Sequence, residues 1–173
     1  MSKPPSIKER SVPLIQLVPN LMTVMAICAG LTAIRFGYEG NYETAVRLIL
    51  VACILDGLDG RLARLLKAQT PLGAELDSLA DFVNFGVAPA LILHSWTLHD
   101  LRGAGWIAVL SYAICCVLRL ARFNVSNKPD ATGASSNYFV GIPSPAGALL
   151  ALLPMVLSFA FSGTPLTPPV VTA

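Results

Sequence analysis

Residues 56–81 read DGLDGRLARLLKAQTPLGAELDSLAD and join two long apolar stretches of the chain. Five of the ten acidic residues in the protein lie within this segment. An ionised side chain at the centre of a membrane helix costs about 2.5 to 3.5 kcal/mol on insertion scales. Carboxylates clustered between apolar runs therefore need a compensating partner.

The remainder of the chain is too apolar for an ordinary soluble domain. Hydrophobic residues make up 54% of the 173 residues, and charged residues only 13%. A hydrocarbon core about 30 Å thick requires about 20 apolar residues per helix. Five runs approach that length: about Pro13 to Ile34, Thr44 to Leu66, Leu72 to Trp96, Trp106 to Phe123 and Pro145 to Phe161. The sequence therefore predicts an all-α integral membrane protein with five transmembrane helices.

The basic residues are distributed unevenly around these runs, and this bias predicts the orientation of the chain. The side that carries the N-terminus has nine of them: Lys3, Lys8, Arg10, Arg61, Arg64, Lys67, Arg119, Arg122 and Lys128. The opposite side has Arg35, Arg47 and Arg102. We expect a multi-pass protein of the cell (inner) membrane, with the N-terminus and the acidic segment on the cytoplasmic face. No cleavable signal peptide is expected, because the first apolar run is long and lacks a small-residue cleavage site.

Other reactive residue types give weaker signals. All four cysteines lie inside apolar runs, without the spacing of a zinc site or a disulfide framework: Cys28, Cys53, Cys115 and Cys116. We expect them to be small core residues. His94 and His99 fall on the side opposite the aspartates, and Ser144 has no histidine partner, so we assign these residues no chemistry.

Helical periodicity places the acidic residues on two facing surfaces. At 100° per residue, Asp56, Asp59, Gly60 and Ala63 share one face of the second helix, and Arg64 lies at its edge. Thr70 and Pro71 are typical of a helix start. Beyond them, a glycine and two aspartates recur at a spacing of four: Gly73, Asp77 and Asp81.

The connection between these two helices is short, which makes them antiparallel neighbours with converging carboxylates. Clusters of carboxylate oxygens suit hard cations such as Mg²⁺ or Mn²⁺. Two such ions would neutralise four aspartates, and a nearby arginine would suit a bound diphosphate. The pattern is typical of phosphoryl-transfer chemistry.

The string Asp56-x-x-Asp59-Gly60-x-x-Ala63-Arg64, followed after eight residues by Gly73-x-x-x-Asp77-x-x-x-Asp81, resembles the signature of the CDP-alcohol phosphotransferase family. Further stretches resemble the phosphatidylserine synthase branch of that family. They are PNLMT (19–23), FGVAPA (85–90), LRLARFN (118–124) and FVGIPSP (139–145). The resemblance extends over about residues 19–148.

This resemblance implies a homodimeric membrane enzyme with six spans per subunit and two bound Mg²⁺ or Mn²⁺ ions. The implied metal ligands are Asp56, Asp59, Asp77 and Asp81. Asp81 would also act as the general base on the acceptor hydroxyl. The implied CDP-binding positions are Asp59, Gly60, Ala63, Arg64 and Gly73. Arg64 could equally be a positive-inside anchor.

Five other residues have two interpretations each. Asn20 and Thr23 could contact the nucleotide, or could simply belong to a helix start. Arg119 and Arg122 could anchor the fourth helix at the membrane surface, or could recognise the carboxylate of an acceptor or a lipid phosphate. Asn84 could take part in acceptor binding or could hydrogen-bond a neighbouring helix.

The resemblance implies transfer of a phosphatidyl group from CDP-diacylglycerol to L-serine, giving phosphatidylserine and CMP. Glycerol 3-phosphate or inositol phosphate as acceptor is an alternative within the family, and a divalent-cation channel or transporter is an alternative outside it. The expected partners are the two substrates, membrane lipids and a second subunit, with no nucleic acid. We expect residues 1–173 to form a single transmembrane catalytic domain that lacks the last of the six spans.

Overall fold

The computed structural model describes residues 17–66, 68–101, 103–126 and 142–161, and these ranges are helical without any strand. The predicted all-α fold is therefore confirmed. The elements are α1 (Leu17–Tyr38), α2 (Tyr42–Leu65), α3 (Pro71–Asp81), a π-helical segment (Phe82–Val87), α4 (Ala88–Trp96), a 3₁₀ turn (Leu98–Leu101), α5 (Gly103–Ser126) and α6 (Ser144–Ala160).

Each of the five predicted spans corresponds to a helix or to one continuous helical segment. The third span is the composite, because α3, the π-helical segment and α4 follow one another without a break. Within the described ranges, three segments are long and apolar enough to cross a membrane: Val18–Tyr38, Pro71–Trp96 and Gly103–Val125. Helix α6 is shorter and apolar. Several apolar helices of this kind fit a multi-pass membrane protein.

Some sequence predictions concern residues outside the described ranges. They are the start of the first span at Pro13, the basic residues Lys3, Lys8, Arg10, Lys67, Arg102 and Lys128, residues 139–141 of the FVGIPSP stretch, and the tail after residue 161. The membrane orientation, which depends on many of these basic residues, stays a prediction.

Helix α3 begins where the sequence predicts. Thr70 has extended backbone angles and its Oγ1 accepts a hydrogen bond from the backbone N–H of Gly73 at 3.0 Å, while Pro71 occupies the first turn. At the other end of α2, the Oδ1 of Asn41 accepts from the N–H of Thr44 at 3.2 Å. These caps fix two tight connections, so α2 runs antiparallel to both α1 and α3.

Away from the acidic segment, the bundle is held by a small apolar core that α1, α2, α4 and α6 share. Its buried members are Ala33, Ala45, Val46, Ile49, Ala88, Ile92, Leu152 and Met155. Small residues let membrane helices approach closely, and packing rather than water exclusion then holds them together. Partly buried hydrogen bonds add to this, such as that from Tyr42 Oη to the carbonyl oxygen of Ser95 at 2.9 Å.

The π-helical segment follows Asp81 directly and is buried at Asn84, Phe85 and Gly86. Tyr112 of α5 donates its hydroxyl to the carbonyl oxygen of Phe85 at 3.0 Å. Segments of this type widen the helix and are frequent at functional sites. Here the widened turn separates the acidic half of the third span from its apolar half.

The expectation that all four cysteines are core residues was wrong for two of them. Cys28 and Cys115 are exposed on the outer faces of α1 and α5, whereas Cys53 and Cys116 are half-buried. An apolar run that spans a lipid bilayer presents one face to lipid, so apolar surroundings in the sequence do not imply burial within the protein.

The close approach of α5 to the 3₁₀ turn gives a stability prediction. A Cβ atom at Gly105 would overlap the carbonyl oxygen of Leu98 and lie 2.8 Å from its carbonyl carbon, so backbone would have to move. We expect Gly105→Ala to lower the free energy of unfolding by about 1 to 3 kcal/mol. Thermal unfolding in detergent micelles, followed by tryptophan fluorescence, measures the change.

Gly103→Ala is the matched control for this substitution. It lies two residues away in the same helix, and a Cβ atom there meets nothing within 4 Å. The midpoint of its thermal unfolding should stay near that of the unsubstituted protein. Equal losses of stability in Gly103→Ala and Gly105→Ala would contradict the prediction.

Candidate functional site

Three of the predicted aspartates come together where α2 and α3 face each other. Carboxylate oxygens of Asp56, Asp59 and Asp77 all lie within 4.8 Å of one another. Asp59 is buried, with 3% of its surface exposed, whereas Asp56 is half-buried and Asp77 is exposed. The antiparallel arrangement expected from the short connection therefore produces the expected convergence of carboxylates.

The fourth aspartate, Asp81, extends this cluster toward the π-helical segment. Its carboxyl group lies within hydrogen-bonding reach of that of Asp56. One oxygen of Asp81 and one of Asp59 are buried without a hydrogen-bond partner among the described residues. Unpaired buried carboxylates in contact with each other are strongly unfavourable. The donor set, four carboxylates with free oxygens, fits divalent oxygen-seeking cations.

A cavity of about 370 Å³ opens beside the aspartates, between α1, α2 and α3. Its volume lies in the range typical of small-molecule sites. Asp59 and Asp77 form part of its wall, so a ligand in the cavity would contact the acidic cluster. The other lining residues are Pro19, Asn20, Thr23, Gly60, Ala63, Ala68, Gln69, Thr70, Gly73 and Ala74.

Most of the residues predicted from sequence to hold a nucleotide line this cavity. The exception is Arg64, which is exposed and donates from its Nε to the carbonyl oxygen of Gly60 on its own helix at 3.0 Å. Close packing explains why residue 73 is a glycine, since a Cβ atom there would lie 3.0 Å from Asn20 Oδ1 and 3.1 Å from Thr70 Oγ1.

Sequence reasoning did not anticipate that Ala68, Gln69 and Thr70 would line the cavity as well. These residues lie in the connection between α2 and α3, for which the sequence predicted a short length and a helix start at Thr70 but no contact with a ligand. Because the connection folds back over the end of α2, its side chains close the cavity on that side. Gln69 is exposed and offers an amide to a ligand.

On the opposite side of the cluster, α5 and α6 supply a cation. Arg119 is half-buried and close enough to Asp81 to interact with it electrostatically. Its Nη2 donates to the hydroxyl of Ser144, the first residue of α6, which is itself buried. Ser144 was dismissed as a nucleophile from sequence. The structure instead places it as the partner of Arg119.

Arg122 and Asn84, the other two expected acceptor-site residues, lie elsewhere. Arg122 is exposed near the end of α5. Asn84 is fully buried against α1, where its Oδ1 fills the space that a Cβ atom at Gly30 would occupy. Neither amide atom of Asn84 has a hydrogen-bond partner among the described residues, so the alternative of a bond to a neighbouring helix finds no partner there.

A second polar contact ties α5 to the acidic half of the third span. The Nδ2 of Asn124 donates to Ser78 Oγ at 3.0 Å, and Ser78 also donates to the backbone of its own helix. Asn124 belongs to the LRLARFN stretch, and Ser78 follows Asp77 directly. This stretch therefore fixes the position of α3 as well as carrying Arg119.

The chain is similar to known proteins over most of its length. A family model described as CDP-alcohol phosphatidyltransferase matches residues 16–171. A protein of Mycobacterium leprae (strain TN) named CDP-diacylglycerol–serine O-phosphatidyltransferase is 51% identical over 148 residues, covering 84% of this chain and 49% of the relative.

Two more distant relatives carry the same name. The protein from Helicobacter pylori (strain J99) is 41% identical over 142 residues, covering 82% of this chain and 58% of the relative. The protein from Bacillus subtilis (strain 168) is 38% identical over 146 residues, covering 84% and 77% respectively. The chain spans about half the length of the mycobacterial relatives it matches.

The repulsion within the aspartate cluster predicts a response to cations. We expect Mg²⁺ or Mn²⁺ to raise the midpoint of thermal unfolding and a chelator to reverse the shift, because a ligand that binds the folded state stabilises it, by about 2.7 kcal/mol at 100 times its Kd. Thermal unfolding in detergent micelles, with and without cation, tests this.

Asp59→Asn and Asp77→Asn should each weaken the cation-dependent shift. Glu75→Gln is the matched control, since Glu75 is an exposed acidic residue of α3 outside the cluster. It should retain the full shift. A shift of equal size in Asp59→Asn and in the unsubstituted protein would contradict a cation site at these aspartates.

Proposed function

The chain belongs to the CDP-alcohol phosphatidyltransferase family, and we propose that it transfers a phosphatidyl group from CDP-diacylglycerol to L-serine, giving phosphatidylserine and CMP. The observation that carries the proposal is the cluster of Asp56, Asp59, Asp77 and Asp81 beside a cavity whose volume is typical of small-molecule sites. The names of the relatives support serine as the acceptor.

The cavity between α1, α2 and α3 is the proposed site of the CDP moiety. Gly60, Ala63 and Gly73 keep the cavity open, because a larger side chain at any of them would project into it. Asn20 supplies a polar contact from α1. Arg64 is a proposed diphosphate ligand, and it would reach the cavity by exchanging its bond to the Gly60 carbonyl for one to phosphate.

Asp56, Asp59, Asp77 and Asp81 are the proposed ligands of two Mg²⁺ or Mn²⁺ ions. When bound, the ions would supply positive charge that binds the diphosphate and stabilises the CMP leaving group. The residues fit this role because three of the carboxylates converge, and Asp59 and Asp81 each keep a buried oxygen without a partner among the described residues.

The proposed reaction needs no covalent intermediate on the protein. Asp81 accepts the proton of the serine hydroxyl, and the serine oxygen forms a bond to the phosphorus that carries the diacylglycerol. The bond from that phosphorus to the oxygen of CMP breaks, and CMP leaves with the electron pair. Asp81 suits the base because it is the aspartate of the cluster that faces α5 and Arg119.

Arg119 is the proposed ligand of the serine carboxylate. A guanidinium matches a carboxylate with two parallel hydrogen bonds, and Arg119, hydrogen-bonded to Ser144, is close enough to Asp81 to interact with it electrostatically. Arg122 is exposed and suits a lipid phosphate at the membrane surface. Asn84, fully buried against Gly30, is better suited to helix packing than to acceptor binding.

The alternatives find less support. An acceptor with an additional phosphate would favour several cations near Asp81, and within the described ranges Arg119 is the guanidinium that interacts with it. A cation channel would need polar groups through the bundle. The half beyond the π-helical segment instead packs Ala33, Ile49, Ile92 and Met155 together.

We also propose that the protein is a homodimer of the cell (inner) membrane whose active site faces the cytoplasm. The cytoplasmic orientation is supported by the exposed pair Arg61 and Arg64 at the end of α2, next to the acidic cluster, because basic residues favour the cytoplasmic side. The nucleotide-activated donor is also a cytoplasmic class of substrate. No nucleic-acid partner is proposed.

Release of CMP tests the function directly. With CDP-diacylglycerol and Mg²⁺ or Mn²⁺, we expect release to depend on L-serine and not on glycerol 3-phosphate or inositol phosphate. Asp81→Asn should lower kcat by about 10²- to 10⁴-fold, the contribution typical of a general base. Asp100→Asn, an exposed aspartate of the 3₁₀ turn, is the control. Release of CMP with another acceptor would replace serine as the proposed acceptor. No release of CMP with any acceptor would overturn the proposal.

The hydrogen bond between Arg119 and Ser144 predicts that substituting either residue changes the KM for the acceptor more than the KM for the donor. We expect Arg119→Lys and Ser144→Ala to raise the KM for serine while the KM for CDP-diacylglycerol changes little, because hydrogen bonds to charged groups contribute about 1.5 to 3 kcal/mol. Arg35→Lys, an exposed residue paired with Glu39, is the control. Steady-state kinetics with each substrate varied in turn measure the effect, and an unchanged serine KM would contradict it.

A further inference from the structure

Thr23 of α1 makes a contact that its expected role in nucleotide binding does not explain. Its hydroxyl lies 2.6 Å from Asp59 Oδ2 and 3.1 Å from the carbonyl oxygen of Pro19, one helical turn earlier. Both Thr23 and Asp59 are buried, at 5% and 3% exposure. The contact thus joins α1 to the acidic cluster away from solvent.

We propose that Thr23 is a positioning residue that orients the Asp59 carboxylate for cation binding. This inference rests on the proposed cation site of the aspartates, and it deepens that proposal by adding a residue that is itself no ligand. A hydroxyl has one proton to donate, and the two oxygens near Thr23 are both acceptors. The shorter distance is the one to the carboxylate, as expected for a charge-assisted bond.

The hydrogen bond distinguishes the two oxygens of Asp59. Oδ2 is held by Thr23, whereas Oδ1 is buried without a partner among the described residues. Rotation of the carboxylate would break the bond to Thr23, so the free oxygen stays directed at one place. Partners that hold a ligand in this way typically change metal affinity about 10- to 100-fold when removed.

The backbone around Thr23 supports the same role. Threonine in a helix has two accessible χ1 rotamers, and the one seen here brings Thr23 Oγ1 close to the carbonyl oxygen of the residue four positions earlier. This carbonyl oxygen belongs to Pro19 and lies 3.1 Å from Thr23 Oγ1. The same rotamer brings the hydroxyl within 2.6 Å of Asp59 on α2, and its single proton is donated to the carboxylate.

Direct binding of Mn²⁺ to the purified protein in detergent micelles, measured by electron paramagnetic resonance without substrate, tests the inference. Thr23→Val keeps the shape of the side chain and removes the donor. We expect its Mn²⁺ affinity to fall about 10- to 100-fold. Thr23→Ser keeps the donor and should stay within about threefold of the unsubstituted protein.

Thr32→Val is the matched control. Thr32 lies on the same helix and donates to the carbonyl oxygen of Cys28, the fourth preceding residue, at 2.6 Å, but it is exposed and contacts no carboxylate among the described residues. Its substitution should leave Mn²⁺ affinity unchanged. Should Thr23→Val lose its native unfolding transition, Thr23→Ala removes the donor with less steric change and gives the same comparison with Thr23→Ser.

Two results would overturn the inference. One is unchanged Mn²⁺ affinity in Thr23→Val together with a raised KM for CDP-diacylglycerol, which would make Thr23 a nucleotide contact. The other is equal loss in Thr23→Val and Thr23→Ser, which would make the effect one of packing. Because Mn²⁺ binding is measured without turnover, a protein that binds Mn²⁺ as expected but releases no CMP would contradict the proposed function and leave this inference standing.

Discussion

Mutual repulsion among four carboxylates is the constraint on which the rest of this structure depends. Asp56, Asp59, Asp77 and Asp81 converge within an otherwise apolar bundle, and two of them hold buried oxygens without partners among the described residues. An arrangement of this kind is unfavourable by itself. In the proposed function, cations held by these aspartates would offset the repulsion and supply positive charge for the donor diphosphate, so substrate binding and stability would be coupled at this cluster.

The repulsion among the aspartates, and the cost of exposing them to lipid, also determine which helices pack against α2. A helix that carries Asp56 and Asp59 cannot present those residues to lipid, and α1 and α3 cover them. Small residues permit close approach here, as Gly73 does beside Asn20 and Thr70. The apolar half of the bundle then needs no polar group at its centre, and it packs around alanine, isoleucine and methionine side chains.

The cluster also divides the proposed site into two sides of different chemistry. Toward α1, the cavity has small side chains and neutral polar groups, which suit a nucleotide. Toward α5 and α6, Arg119 interacts electrostatically with Asp81 and is hydrogen-bonded to Ser144. A donor on the first side and an anionic acceptor on the second would meet at the aspartates, and this geometry is what the proposed transfer requires.

Local patterns were enough to predict much of this protein. Apolar run lengths predicted the helices, Thr70 and Pro71 predicted the start of α3, and a spacing of three or four residues placed the aspartates on facing surfaces. These features depend on helical periodicity and capping, which a short stretch of sequence determines by itself. The boundaries of the spans were predicted only approximately, and the π-helical segment after Asp81 and the exposure of Cys28 were not predicted, because they depend on which surfaces pack together.

Only the tertiary structure decided which side chains hold the aspartates and the arginines. Thr23 and Asp59 are 36 residues apart, and Arg119 and Ser144 are 25 apart, yet each pair is hydrogen-bonded. Arg64 turns back to its own helix although its position in the signature suggested a ligand. Sequence spacing fixes the face of a helix on which a residue lies, whereas the neighbouring helix and the rotamer that packing permits decide what that residue contacts.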